Sequence, residues 1–189
     1  MEELRDYSGK FRPDLKLTDF SKDLLARAWV ETGNLYLMAD GMWGTLVGEK
    51  YGEQTAAELE IEMWHRLMPL DIGRWRKLLN LGGDDVETAF KFLQVHPLLT
   101  IYEFHMELKN RNHGILTITR CRTLEFFERH KRTAMMESVC CDPKGLEHQM
   151  FQMIGHHFSP RIKVTPLKLP PRKSQDEIAC QWDFKLKEG

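Results

Sequence analysis

The sequence predicts an α+β fold, in which an N-terminal helical lobe packs on a C-terminal antiparallel sheet with interspersed helices. Two observations lead to this class. Apolar residues recur at helical spacing through the first half of the chain, up to about residue 97. Beyond it, apolar and polar residues alternate, which is the pattern of strands with one buried face. Helices followed by a strand-rich half are typical of α+β proteins.

The chain divides into a polar arm and one domain. The arm is predicted over residues 1–16, where charged residues dominate, and the domain over residues 17–189. Within the domain, residues 17–97 form the helical half and residues 98–189 form the strand-rich half. At 189 residues, one domain has enough chain to bury a hydrophobic core.

Two long helices are predicted in the helical half. Thr18 or Ser21 can cap the first helix, and Gly52 should end it. The second helix begins near Glu53 and is expected to stop at Pro69, because proline lacks the N–H that a helix interior requires.

Three strands stand out in the second half. Residues 102–108 alternate most clearly, and residues 114–121 are the expected return strand of an antiparallel hairpin. Residues 178–184 form the last strand, and Cys180 lies on its apolar side. Helices are predicted after residue 121 and over residues 143–155.

Composition and charge exclude several classes of partner. The formal net charge is -1 and the pI is near 6.7, so no overall field attracts nucleic acid or an anionic membrane. The N-terminal residues lack the apolar stretch of a signal peptide, and no apolar run approaches the roughly 20 residues that span a bilayer. We therefore expect a cytoplasmic protein that binds neither nucleic acid nor membrane.

Four cysteines suggest a metal site, although none of them forms a CxxC pair. In a reducing compartment disulfides are disfavoured, and thiolates with a carboxylate are suitable zinc ligands. Cys121, Cys140 and Cys180 can meet if their strands are adjacent, and Glu137 lies three residues before Cys140. The proposed zinc ligands are therefore these four residues. The alternative is that the cysteines only pack, since free cysteine is among the most buried residue types.

A nucleophilic thiol is a second hypothesis. Cys141 precedes Asp142 and lies seven residues before His148, the only local arrangement of thiol and base. The N-terminus of the helix that follows would lower the pKa of the thiol. Cys141 and His148 are therefore the candidate catalytic residues.

Aromatic residues suggest a small-molecule pocket between the helical lobe and the sheet. The candidates for its lining are Trp43, Trp64, Tyr102 and Phe104. Side chains of this kind line ligand pockets and fill protein cores alike.

Residues 35–64, LYLMADGMWGTLVGEKYGEQTAAELEIEMW, resemble the N-terminal signature of an uncharacterised family of prokaryotic cytosolic proteins. The segments TRCRTLEFFERH, VCCDPKG and CQWDF, with the prolines at positions 170 and 171, are similar to the family's cysteine-bearing segments. The resemblance covers residues 20–186 and implies no assigned activity.

A more distant likeness is to L-2-amino-thiazoline-4-carboxylic acid hydrolases and to 4-vinyl reductase-type sensor domains. The sensor domains hold zinc through cysteines and a Glu-x-x-Cys arrangement, which Glu137 and Cys140 match, with Cys121 before and Cys180 after. In the uncharacterised family, the loop before Pro170 often carries a further cysteine, and this chain has none there.

The leading functional hypothesis is a small-molecule-binding or sensor-like domain with a structural zinc ion. One alternative is a hydrolase that acts on a C–N bond of a small heterocycle or amide, through a thiolate or a metal-bound water. Another is a structural protein that forms a homodimer by docking a second copy on Gly41, Gly44 and Gly48.

Overall fold

The structure is a computed structural model that describes residues 3–187, and these residues form an α+β fold as predicted. The helices are α1 (Lys22–Tyr51), α2 (Glu53–Leu78), α3 (Val86–Val95), α4 (Pro97–Thr100), α5 (Arg122–Arg129), α6 (Thr133–Met136) and α7 (Leu146–Phe158). The strands are β1 (Glu103–Asn110), β2 (His113–Arg120), β3 (Ile162–Lys168) and β4 (Cys180–Leu186). A 3-10 turn covers Leu17–Asp19, and a π-helical turn covers Glu137–Cys141.

The two long helices begin and end largely where the sequence indicates. Ser21 caps α1 by accepting a hydrogen bond from the first turn, and Gly52 ends it with a φ of 93°. The predicted stop at Pro69 is wrong, because α2 continues through it to Leu78. Pro69 lies on the exposed side, while Met68 and Ile72 are buried and hold the helix against the core across the missing hydrogen bond. Among the described residues, no helix is both long and apolar enough to cross a membrane.

The sheet is antiparallel throughout, with the strand order β1-β2-β4-β3. The predicted hairpin is β1 and β2, and the last strand, β4, pairs with both β2 and β3. Leu116 and Trp182, which face each other on the two central strands, are both buried. The centre of the sheet is therefore the floor of the hydrophobic core.

Helices α3 and α7 cover the buried face of the sheet. The ring of Phe90 on α3 lies 5.3 Å from that of Phe184, and the ring of Phe151 on α7 lies 4.8 Å from that of Trp182. Helix α2 packs on α7, and α1 packs on α2 and α4. This layering places the start of α7 over the end of the sheet where β2 finishes and β4 begins.

The glycines of α1 differ in what surrounds them. At Gly33 an added Cβ would lie 2.4 Å from the carbonyl oxygen of Pro97, so α1 and α4 approach closely only because this residue is glycine. Gly41 and Gly44 face open space, and Gly48 lies against the carboxyl group of Glu53. The close packing of α1 on α4 therefore depends on Gly33, and neither Gly41 nor Gly44 makes such a contact within the described chain.

Substituting these glycines should change stability in opposite directions. Gly33→Ala should lower the free energy of unfolding by about 1–3 kcal/mol, because the methyl group would force α1 and α4 apart. Gly41→Ala should raise it by about 1 kcal/mol, because alanine favours the helix and nothing obstructs the methyl group. Urea unfolding of the two variants beside the parent chain measures both changes. Equal effects at both positions would contradict the assigned packing.

Candidate thiol and carboxyl site

The pairing of β2 with β4 brings two distant cysteines to one end of the sheet. Ile118 on β2 lies opposite Cys180, the first residue of β4, and Cys121 directly follows β2. The Sγ of Cys121 caps α5 by accepting a hydrogen bond from the Leu124 amide at 3.4 Å. The indole N–H of Trp182 donates to the Sγ of Cys180 at 3.3 Å. The adjacency of the two strands, on which the metal hypothesis depends, is confirmed.

A third thiol and a carboxyl group come from the chain between α6 and α7. Cys140 is buried in the π-helical turn, and Glu147 lies in the first turn of α7. The chain turns sharply between them at Gly145, where a Cβ would lie 2.1 Å from the carbonyl oxygen of Ser138. Glu147 is partly buried, and this burial raises the pKa of its carboxyl group to about 7.

The three thiols share this carboxyl group as a neighbour. Burial raises the pKa of Cys121 to about 12 and raises the pKa of Cys140 and Cys180 far above the usual value for a thiol. For each of the three, the Glu147 carboxyl is the second cause of the raised pKa. All three cysteines are free thiols, and their raised pKa values keep them protonated near Glu147 at neutral pH.

The carboxyl group beside the thiols is therefore not the one that the sequence analysis selected. Glu137 is exposed, and its carboxyl group lies near Cys141, whose pKa is raised by burial and then by Glu137. A sequence signal for Glu147 did exist, because it lies four residues before Phe151 and seven before Ile154, both of which are buried. An acidic residue on the apolar face of a helix is unusual enough to indicate a site.

The arrangement is not a finished metal centre. Within residues 3–187, no three His, Cys, Asp or Glu side chains are positioned together as ligands of a metal ion. The thiols and Glu147 are neighbours, but their side chains would have to move closer together to bind one ion. Their chemistry, three sulfurs and one carboxylate, nevertheless matches the donors that zinc accepts.

The candidate catalytic residues lie beside this cluster. The Cys141 thiol donates a hydrogen bond to the carbonyl oxygen of Pro170 at 3.3 Å, and its pKa is raised, whereas a nucleophilic thiol needs a lowered pKa. The His148 ring lies 5.0 Å from the Trp182 ring, and burial lowers its pKa. Its Nε2 is buried without a hydrogen-bond partner. These environments do not activate Cys141 for attack.

The four aromatic residues proposed for the pocket lie in different places. Tyr102 lines a surface cleft of about 550 Å³, and its pKa is raised by burial and then by the neighbouring Cys121 thiol. Phe104 packs against the core from β1, and Trp64 is buried beside the Tyr36 ring. Trp43 is 56% exposed on the outer side of α1. The structure therefore brings Tyr102 close to the thiols, and the cleft that Tyr102 lines includes none of the other three.

A second acidic group lies between α1 and α2 and was not predicted. The side chains of Asp40 and Glu60 interact, and burial raises the pKa of both, that of Glu60 to about 7. The Glu147 carboxyl also contributes to the shift of Glu60, so the second group lies close to the first. The Trp64 indole N–H faces the Asp40 carboxyl group and partly offsets the rise of its pKa, although the buried Nε1 and Oδ1 lie outside full hydrogen-bond geometry.

Glu60→Gln should reduce the pH dependence of stability. The folded-state pKa of Glu60 is raised from 4.5 to about 7, so the folded protein binds an extra proton between these values. The contribution of Glu60 to stability is therefore fully present below pH 4.5 and is lost as the pH rises through about 7. The amide does not titrate, so it removes the contribution of Glu60. The decrease in the free energy of unfolding between pH 5 and pH 8 should therefore shrink by roughly 2–3 kcal/mol.

Urea unfolding at the two pH values, in a chelating buffer, measures the change. The control is Glu58→Gln, an exposed residue on the same helix, which should leave the difference between pH 5 and pH 8 unaltered. If Glu60→Gln behaves like Glu58→Gln, the Glu60 carboxyl is ionised normally in the folded state.

The model of a family of unknown function, DUF6125, matches residues 18–186, which is nearly the whole chain. No curated protein and no solved structure matches, so the likeness to thiazoline carboxylate hydrolases and to 4-vinyl reductase-type sensors stays a hypothesis. The expected membership of an uncharacterised family is confirmed. The chain belongs to the DUF6125 family.

Proposed function

We propose that the protein is a small-molecule-binding domain that holds one zinc ion through Cys121, Cys140, Cys180 and Glu147. The observation that carries the proposal is that one partly buried carboxyl group, that of Glu147, is a common neighbour of three thiols from separate segments. This ligand set replaces the predicted Glu137 with Glu147 and keeps the three cysteines.

Electrostatics support a cation at this position. A buried carboxylate without a cation or hydrogen bonds is costly, and Glu147 avoids this cost by staying protonated up to about pH 7. Zinc would stabilise the carboxylate and the three thiolates together, and its binding would release their protons. Metal affinity should therefore increase with pH.

Four protein ligands favour a structural role for the ion. A tetrahedral set of this kind leaves no coordination position for the water that a zinc hydrolase activates. The ligands come from the end of β2, the π-helical turn, α7 and the start of β4. The ion would therefore connect the sheet to the helix that covers it.

The cleft beside Tyr102 supports the small-molecule part of the proposal. Its volume of about 550 Å³ lies within the range of ligand pockets. Apolar side chains such as Val30 and Phe126 line it together with Arg122 and Arg129. Because Cys121 lies near enough to raise the pKa of the Tyr102 hydroxyl, a molecule in the cleft would lie close to the zinc ligands.

Elemental analysis of the purified protein tests the metal site. The parent chain, after incubation with zinc and removal of excess metal, should retain about one equivalent. Cys121→Ser, Cys180→Ser and Glu147→Gln should each retain well under half of that amount, because each removes one ligand.

Matched controls distinguish the ligands from their neighbours. Cys141→Ser and Glu137→Gln should keep the full equivalent, since neither residue belongs to the proposed set. A metal-free parent chain would overturn the zinc proposal. Loss of zinc from Glu137→Gln but not from Glu147→Gln would restore the ligand set expected from sequence.

We also propose that α1 binds α1 of a second copy of the chain. Four large apolar side chains recur every three or four residues on the outer side of this helix, and each is more than half exposed. They are Leu35, Met38, Met42 and Leu46. An exposed apolar stripe of this length is typical of an interaction surface. This stripe lies on a different side of α1 from Gly44, which is partly buried, and Gly48, which is buried.

The order of residues along this stripe favours an antiparallel pair. Glu31 lies one turn before Leu35, and Lys50 lies one turn after Leu46. With the two-fold axis near the two methionines, Leu35 of each copy faces Leu46 of the other, and Glu31 faces Lys50. The stripe is thus complementary to itself in the order of its apolar residues and in charge.

A charge placed on the stripe should produce a monomer. Met42→Glu should abolish the dimer in light scattering at micromolar concentration, because two buried carboxylates would meet near the axis. The control, Leu70→Glu, adds the same charge to an exposed position of α2 and should leave the dimer intact. A parent chain that is monomeric, or equal effects of both changes, would refute this interface.

A further inference from the structure

The surface cleft of about 550 Å³ is lined by more positive than negative groups. Its charged side chains are Arg120, Arg122, Arg129, Glu103 and Glu125. Both carboxyl groups accept hydrogen bonds from Arg120, that of Glu125 at 2.6 Å and that of Glu103 at 3.4 Å. Within the described part of the chain, no carboxylate forms an ion pair with Arg122 or Arg129. The charge that remains in the cleft is therefore positive.

Helix α5 presents two of these arginines on one side, with an aromatic ring between them. Arg122, Phe126 and Arg129 are spaced by four and then three residues, so they share one face of the helix, and all three line the cleft. The arginine Cα atoms lie about 10 Å apart along the helix axis, a distance that two arginine side chains can close from both ends. Phe126 is 49% exposed. This face of α5 therefore combines uncovered apolar surface with two unpaired cations.

A hydrogen bond from the opposite wall of the cleft positions Arg122. Its Nη1 donates to the Oδ1 of Asn34 on α1 at 2.7 Å. Because the Asn34 amide is neutral, this bond orients the guanidinium group without cancelling its charge. Val30 lies one turn before Asn34 and adds apolar surface to the same wall. Arg122 keeps further N–H donors, and a guanidinium group can bind a carboxylate through two of them.

We propose that this cleft binds a small organic monocarboxylate with an apolar body, through Arg122 and Arg129. The inference rests on the proposed small-molecule function and gives it a ligand class. The carboxylate would accept hydrogen bonds from the two guanidinium groups, and the apolar body would cover Phe126 and Val30. Three guanidinium groups and two carboxylates line the cleft, so one negative charge on the ligand balances the lining, and a cation would be repelled.

Titration with hexanoate, followed by NMR of the arginine Nε–H groups, tests the site. The signals of Arg122 and Arg129 are identified by their loss in Arg122→Gln and Arg129→Gln, and hexanoate should shift both signals with saturation. Hexanamide, which is neutral, and hexylammonium, which is a cation, should each bind at least about tenfold more weakly. Acetate, which keeps the charge but lacks the apolar chain, should also bind at least about tenfold more weakly.

Matched variants assign the binding to the cleft. Arg122→Gln and Arg129→Gln should each weaken hexanoate binding about tenfold, as followed on the signal of the arginine that remains. The control is Arg74→Gln, which removes the same charge from an exposed position of α2 outside the cleft and should leave hexanoate binding unchanged. All three variants should keep the zinc content of the parent chain, because none of them changes a proposed zinc ligand.

The outcomes separate this inference from the proposed function. Binding of hexanamide or hexylammonium as tight as that of hexanoate would overturn the carboxylate class and leave the small-molecule function in place. Unchanged hexanoate binding to Arg122→Gln and Arg129→Gln, or an equal loss in Arg74→Gln, would overturn the assigned residues. If none of these probes bound with saturation, the inference and the small-molecule part of the proposed function would both fail, and the zinc site would still be decided by metal content.

Discussion

The pairing of β2 with β4 is the constraint on which the candidate thiol and carboxyl site depends. The two strands are separated by the whole of α5, α6, α7 and β3, yet their register places Cys180 opposite Ile118, and Cys121 just beyond it. Register in a sheet with one buried face is strongly specified, because a slip by one residue would turn Trp182 and Phe184 away from the core. Packing of the sheet therefore fixes the separation of the two thiols.

The interior acids impose a second constraint, which is energetic. Burial raises the pKa of Glu147 and Glu60 to about 7, and Asp40 shifts in the same direction. The folded state is therefore more stable when each carboxyl group is either protonated or paired with a cation. Natural proteins retain such groups in spite of their cost mainly where they serve a site. A cation beside these acids would lower the cost of their burial, whereas packing alone can explain the cysteines.

Much of the fold could be predicted because it follows from local pattern. The alternation in residues 102–108 located the β1–β2 hairpin, and the end of α1 followed from Gly52. The helix does not stop at Pro69, because the burial of Met68 and Ile72 offsets the local cost of the proline. Helix propensity describes the residue alone and takes no account of this burial. Tertiary packing therefore determined that α2 continues through Pro69, as it commonly overrides helix propensity.

The site was predicted in part, for a related reason. Cys121, Cys140 and Cys180 could be proposed from their chemistry, but Glu137 was chosen for its nearness in sequence to Cys140. Helical phase places Glu147 on the buried face with Phe151, and phase is the better guide to which side chains meet. Asp40 and Glu60 could not be paired in this way, because their meeting depends on how α1 crosses α2.

Helix α1 shows how these features are connected. Its inner side carries Asp40 towards Glu60, and its outer side carries the apolar stripe that includes Met38 and Met42. A 30-residue helix held on one side only would leave that stripe in water, and the hydrophobic effect favours covering it. A second copy on the outer side would also limit the movement of α1 relative to α2. Self-association would then help to hold the carboxyl pair in place, so the interface and the interior site would stabilise each other.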